Sequence, residues 1–229
     1  AGGVDAPILL ELIHGFANMN ATIKVHPDDR AASNPARASR PFSIDRKGFV
    51  LSEGAGVVVL AAEEVIKAHG LIPKAEVLGV GWTSDAYHYT SPNPVTIIRA
   101  LRETIEDAGL KPTDVQYVNA HGTSTPKGDR TEVKCLREIF GKGMEKVPVS
   151  SNKSQLGHTL GATAAIEAAL TIEGMKQGII LPTINHLPDP ELADIDVVPN
   201  VARKQKYEIA LSNAFGFGGT NCCVIFRGV

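Results

Sequence analysis

The chain has 229 residues, a length that suits one large domain or two small ones. Its apolar fraction of 43% and charged fraction of 21% are those of an ordinary globular protein, and its net charge of −2 gives it no electrostatic reason to bind nucleic acid or an anionic membrane. The longest apolar run, Val57 to Ala62, is far short of the roughly 18–20 residues a membrane span needs, and three cysteines without a CxxC pair exclude a disulfide scaffold and a cysteine-built zinc site.

Free thiols point to a reducing compartment, so a cytoplasmic location is expected. The chain opens Ala1-Gly2-Gly3 with no initiator Met and no visible secretory signal, which suggests that it starts within something larger.

Taken in order, the polar segment 26–40 reads as a loop. Residues 48–61 carry β-branched side chains around a glycine-rich turn and read as two strand pieces. Residues 63–69 read as a helix stopped by Gly70, and 75–82 as a strand. The stretch 85–94, with its rings and prolines, is a loop. Residues 95–108 place Ile97, Ile98, Leu101 and Ile105 at helical spacing, closed by Gly109. A short strand over 115–120, a helix over 131–140 and a strand over 147–150 follow. The longest helix spans 159–177, and strands over 207–211 and 221–226 flank a loop over 212–220. Strands alternating with helices mean an α/β fold, which keeps its chemistry in loops at strand ends.

The helix after His158 is small or apolar on all sides, so burial on every face is expected, with a further half or a partner supplying part of the cover. Glu167 lies inside it. A buried carboxylate is costly unless paired, so Glu167 needs a cation beside it.

Three motifs sit in such loops. In Asn119-Ala120-His121-Gly122-Thr123-Ser124-Thr125-Pro126, an imidazole follows a strand among small and hydroxyl residues, where it faces a ligand; the bland alternative is a structural turn histidine. In Ser151-Asn152-Lys153-Ser154-Gln155-Leu156-Gly157-His158, a Lys and a His lie five apart before the apolar helix. A helix N-terminus there would favour developing negative charge. Pairing of Lys153 with Glu167 is the plain reading and does not exclude a role. In Phe215-Gly216-Phe217-Gly218-Gly219-Thr220-Asn221, glycines flank one aromatic, a better match to a hinged lid than to a phosphate loop. A hydrolytic metal site from His121, Asp129, Glu132 and His158 matches no ligand spacing.

Together these segments, with "SRPFSIDRKGFVLSEGAG" from Ser39 and "TSDAYHYTSP" from Thr83, resemble the β-ketoacyl-[acyl-carrier-protein] synthases of type II fatty acid synthesis. The likeness covers all 229 residues but only about the C-terminal half of the family's chain. It implies a thiolase-like layered α-β-α-β-α fold of which this chain supplies mainly the C-terminal half: residues 1–60 the end of the N-terminal half and linker, 61–229 the C-terminal domain. The implied reaction is a decarboxylating Claisen condensation of an acyl thioester with malonyl-[acyl-carrier-protein].

His121 and His158 match the two catalytic histidines and Lys153 the family's lysine, with Glu167 its partner. A pair of histidines, and not a His and an Asn, points to the elongating enzymes. Thr123 and Thr125 match residues that contact phosphopantetheine, and Phe217 matches the gating aromatic. Glu167, Ser212 and Asn213 match positions near a structural cation. No cofactor is required, since phosphopantetheine comes on the carrier protein.

The implied partners are acyl carrier protein, acyl and malonyl thioesters, and the remaining N-terminal half or a second copy. The family's nucleophilic Cys precedes the "AGG" segment, and none of Cys135, Cys222 and Cys223 matches it, so this chain alone is expected to be inactive. The alternative is a non-catalytic partner or structural fragment of a polyketide or fatty acid condensing complex.

Overall fold

The computed structural model describes all 229 residues. In chain order the strands and helices are β1 (Gly2–Asp5), α1 (Leu10–Asn18), α2 (Arg30–Ser33), β2 (Gly54–Val57), α3 (Glu63–His69), β3 (Ala75–Ser84), α4 (Pro94–Asp107), β4 (Tyr117–Asn119), α5 (Pro126–Phe140), β5 (Pro148–Ser150), α6 (Lys153–Leu156), α7 (Thr163–Gln177), β6 (Ile179–Ile180), β7 (Asp196–Val197), β8 (Arg203–Lys204), β9 (Ile209–Phe215) and β10 (Thr220–Gly228).

Six strands form the main sheet in the order β3-β10-β9-β4-β5-β7. The β3, β10 and β9 pairings are antiparallel; those from β9 through β4 and β5 to β7 are parallel. Helices α4 and α5 cover one face. Ile97, Ala100, Leu101 and Ile105 of α4 and Val133, Leu136 and Phe140 of α5 pack with Val118, Val149, Leu211, Cys223 and Ile225 of the sheet. Helix α7 covers the other face, where Met175, Ala168 and Ile172 meet Tyr117, Ala210 and Phe226. Beyond α7 lies the antiparallel β1–β2 ribbon. The molecule therefore stacks ribbon, helix, sheet and helices, the β-α-β-α part of the expected layering.

Glycines set two of these distances. A Cβ on Gly56 would lie 2.8 Å from Ile166 N, so only glycine lets the ribbon rest on α7. A Cβ on Gly81 would lie 2.1 Å from the Ala100 carbonyl, so β3 touches α4 backbone to backbone.

Several expectations change. Helix α5 begins at Pro126, a turn earlier than expected, because Thr125 caps it by accepting from Gly128 N and Pro126 suits a first turn that needs no N–H. The expected loop over 212–220 shrinks to the tip 216–219: β9 runs on to Phe215 because Ser212, Asn213 and Ala214 pair with β10. The loop over 26–40 contains the short α2, capped by Asp29.

As expected, this chain does not by itself cover helix α7 on every side. The ribbon meets it at Ala165 and Ile166 and is too narrow to cover the rest, which leaves Ala164 and Ala169 exposed. Helix α1 was not expected at all, although Leu10, Ile13 and Phe16 recur at helical spacing; none of its residues is buried. No helix is long and apolar enough to cross a membrane.

Overpacking a tight contact typically costs about 1–3 kcal/mol. Gly81→Ala is expected to reach the upper part of that range, read as a lower urea midpoint at unchanged m-value, because its Cβ meets backbone and the Thr104 hydroxyl (2.3 Å) and not a yielding side-chain tip.

Candidate active site

The parallel strands deliver the site. Strand β4 ends at Asn119 and carries Ala120 and His121 off its C-terminal end; β5 ends at Ser150 and delivers Ser151 to Lys153 beside them. Ser151 Oγ donates to the Gly122 carbonyl at 2.7 Å, which ties the two loops together. A Cβ on Gly122 would meet Ser151 at 2.7 Å, and its φ of 33° lies outside the usual range of L-residues, so glycine is required there.

His121 is aimed by a carboxylate. Glu132 Oε1 accepts from the His121 N–H and Oε2 from the Gly122 N–H, both at 2.8 Å, while Asn213 Nδ2 donates to Oε1 at 3.0 Å. Burial pushes the Glu132 carboxyl up, and these N–H groups pull against it. One turn earlier, Asp129 Oδ2 accepts from Phe42 N at 2.8 Å. Burial raises Asp129 to about 7, against the pull of the Phe42 N–H and Arg46. Both carboxylates thus hold backbone, and no group of three or more His, Cys, Asp and Glu side chains is arranged for a metal. Neither residue is expected from the sequence to hold backbone. The available signal was their position: at i and i+3 on the face of α5 that also carries Val133 and Leu136.

His158 does not stand at the N-terminus of α7, which starts five residues later. Its main chain bridges to residues 50–52, with His158 N donating to the Val50 carbonyl at 2.7 Å and Ser52 N donating to the His158 carbonyl at 3.0 Å. Nδ1 accepts from the Leu160 N–H at 3.2 Å and lies 3.0 Å from Thr163 Oγ1. A backbone N–H can only donate, so Nδ1 is bare and the proton of the neutral ring sits on Nε2. Burial lowers the His158 pKa to about 3, and Lys153 adds to the effect, so the ring is neutral. His121 is lowered well below 6.5 by burial, then by Lys153 and His158. The two rings meet edge to face, with centroids 5.5 Å apart at 82°.

Beneath them Lys153 Nζ donates to Glu167 Oε1 at 2.7 Å, both side chains 2% exposed. Burial pushes Glu167 up and Lys153 opposes it. Glu167 Oε2, Asn152 Oδ1 and Asn213 Oδ1 are buried acceptors without a hydrogen-bond partner. Asn119 accepts from Asn152 at 3.2 Å and donates to Ser212 Oγ at 3.0 Å. A buried set of oxygen acceptors of this kind suits a hard cation.

The histidines open into a cavity of about 670 Å³. Thr123 and Thr125 line it, their hydroxyls 3.0 Å apart. Phe217 rides the β9–β10 tip between Phe215 and Gly218, stacks on Phe16 at 5.7 Å and lies 6.3 Å from Phe49. The tip is anchored: Gly218 N donates to the Tyr89 carbonyl, and Asp85 N donates to the Gly219 carbonyl, both at 2.8 Å. Sequence reasoning missed Phe16, Phe49 and Asp85, whose partners lie far off in sequence.

Residues 74–186 match the family model of the Beta-ketoacyl synthase, C-terminal domain, and residues 1–65 that of the Beta-ketoacyl synthase, N-terminal domain. A 3-oxoacyl-[acyl-carrier-protein] synthase 2 of Staphylococcus aureus is 44% identical over 99% of this chain and 55% of its own length. The protein of the same name from Rhizobium meliloti (strain 1021) is 42% identical, over 99% of this chain and 53% of its own length. The chain thus spans about half the length of these curated relatives. Among solved structures, a beta-ketoacyl synthase from Burkholderia phymatum STM815 superposes with a TM-score of 0.91 at 40% identity, over 100% of this chain and 54% of its own. A ketosynthase in complex with its type II PKS acyl-carrier protein gives 0.92 at 31% identity, over 99% of this chain and 55% of its own.

Two outcomes follow from the buried groups. Removing one partner of a buried ion pair typically costs about 3–5 kcal/mol, whereas replacing both can be neutral. Lys153→Met is therefore expected to lower the urea midpoint strongly and Lys153→Met/Glu167→Leu to recover most of it; equal losses in both would contradict the pairing. For His158, the folded value of about 3 lies below the ordinary 6.5, so the unfolded chain binds the extra proton between them. Stability from this ring is complete above pH 6.5 and is lost as pH falls toward 3. His158→Gln should flatten the pH dependence of the unfolding midpoint in that window.

Proposed function

Since the chain belongs to the β-ketoacyl synthase family, we propose that its cavity forms the decarboxylation side of a condensing enzyme, which joins an acyl thioester to malonyl-[acyl-carrier-protein] in fatty acid elongation. The observation that carries this reading is the pair of neutral imidazoles that meet edge to face in the wall of the cavity.

Loss of CO₂ from a malonyl thioester leaves an electron pair that delocalises onto the thioester oxygen as an enolate. That oxygen needs hydrogen-bond donors already in place. His158 offers Nε2–H, because Nδ1 is tied to Leu160. His121 approaches the same space, its main chain held by Glu132. Neutral rings serve better than imidazolium here: a charged donor would also stabilise the malonyl carboxylate and oppose its departure. Lys153 supplies positive charge behind both rings, which disfavours their protonation. The enolate carbon then attacks the acyl thioester carbonyl, the thiolate leaves, and the 3-oxoacyl product forms.

The acyl-accepting thiolate is assigned to the family's cysteine and to none of the three here. Burial pushes Cys135 up to about 12 and Cys223 well above its ordinary value, and it also raises Cys222. Thr123 and Thr125 would meet the phosphopantetheine arm, and Phe217 with Phe16 and Phe49 would close over the acyl end. Lys127 at the mouth, with Lys24 and Lys47 in the polar cleft that shares Asn20 with the cavity, would meet the arm's phosphate. Glu167, Asn213 and Ser212 would lie around a structural cation, for which the unpaired Glu167 Oε2 and Asn213 Oδ1 are suitable oxygen ligands.

The test is decarboxylation of a malonyl thioester by the synthase that carries these residues. His121→Ala and His158→Ala are each expected to lower kcat on the order of 10²–10³-fold, the usual effect of losing one donor to a developing oxyanion, with KM little changed. Near-wild-type rates in either variant would reject the reading. Because both rings stay neutral down to low pH, kcat should not fall between about pH 8 and 5 through their titration.

A further inference from the structure

The bend that joins His158 to α7 contains a leucine in a conformation leucines rarely hold. Leu160 has φ of 45°, in the left-handed region. The left-handed residue joins two N–H groups that point to different partners: its own, in the peptide after Thr159, lies on His158 Nδ1, and the next one, that of Gly161, turns toward β1. The residue after it is tied to the far end of the chain: the Gly161 N–H donates to Asp5 Oδ2 at 3.0 Å, across 156 positions. Gly3, in the same strand, is so near that a Cβ would lie 2.1 Å from the Gly161 carbonyl oxygen. The other flank of the bend is fixed where Val50 and Ser52 bond the His158 main chain. The bend is thus clamped from both sides, and on the β1 side its one polar contact is the Asp5 carboxylate.

We propose that Asp5 is a positioning residue for His158: by holding the Gly161 N–H it keeps Leu160 left-handed, and so locks the imidazole in the Nε2–H tautomer that faces the cavity. A short side chain with an acceptor at its second carbon is what the geometry needs. Asparagine would keep that acceptor; alanine removes it. Only the catalytic consequence rests on the condensation reading, since the tautomer is a property of the chain itself.

The test is long-range ¹H–¹⁵N spectroscopy of the 229-residue chain with ¹⁵N-labelled histidine at neutral pH, the His158 signals being assigned by their loss in His158→Gln. The wild-type chain should show one His158 species, with bare Nδ1 and protonated Nε2. Asp5→Ala should lose that single pattern and gain an Nδ1–H population, while His88 and His186 signals stay put and report an intact fold. Asp5→Asn should keep the wild-type pattern. Leu160→Gly added to Asp5→Ala should restore it, because glycine occupies the left-handed region unaided.

A wild-type pattern in Asp5→Ala, or its loss in Asp5→Asn, would overturn the proposal. Should Asp5→Ala fail to fold, Asp5→Ser, whose hydroxyl is too short for the contact, supplies the same contrast against Asp5→Asn. In the full synthase, kcat for decarboxylation should fall in Asp5→Ala and recover in Asp5→Asn at constant KM. A tautomer shift without a change in kcat would reject the condensation reading and leave the latch standing.

Discussion

A lysine and a glutamate lie out of water at 2.7 Å beneath the two histidines, and the arrangement above them depends on that contact. Taking either charge from water alone would cost several kcal/mol, so each fixes the element that carries the other. Glu167 draws α7 down onto the sheet. Lys153 holds the turn after β5 in place, and Ser39 adds to it by donating to the Lys153 carbonyl at 2.6 Å. The pair also sets the field at the site. Lys153 pushes both imidazoles toward their neutral forms, an effect that burial strengthens because little water is present to screen it.

The two rings are aimed by unlike means. His121 sits off a strand end, and a buried carboxylate gathers its backbone N–H and that of Gly122. His158 sits in an irregular bend, where its own Nδ1 takes the Leu160 N–H. The first device fixes the main chain and leaves Nδ1 of His121 without a partner; the second fixes the ring and its tautomer. The two imidazoles therefore differ in how they are held: the His158 ring is fixed through its own Nδ1, and the His121 ring by its packing against Phe215 and His158.

Local signals carried much of this in the sequence. Helix α3 stops at Gly70 in the left-handed conformation, as its glycine suggests. Helix α4 buries Ile97, Leu101 and Ile105, the spacing that marks it. The loops bearing His121, Lys153 and Phe217 stood out because small residues and glycines surround one chemical group, and Glu167 declared its need for a cation by lying in an apolar helix. What stayed hidden depends on partners distant in the chain. The carboxylates of Asp129 and Glu132 serve backbone N–H groups of residues 42 and 121–122, which no periodicity reports. The strand through Ser212 to Phe215 reads as polar loop because its pairing with β10, and not its own side chains, makes it extended. Helix α1 buries no residue, so its apolar spacing had no core to confirm it.

The cavity wall joins segments that the sequence separates widely. Phe16 and Phe49 come from the first fifty residues, His121 and His158 from the middle, and Phe217 from the final hairpin; Phe16 meets Phe49 edge to face and stacks on Phe217, and Phe49 and Phe217 lie tilted at 6.3 Å. Phe49 also meets the His158 ring at 5.2 Å. Phe217 is therefore linked through Phe49 to the His158 ring, and the tip that carries it is anchored on Tyr89 and Asp85. A tip held in this way does not swing freely on its glycines: the Phe217 ring is stacked on Phe16 on one side, and the Gly218 N–H is bonded to the segment before α4 on the other, so displacing the aromatic costs contacts on both.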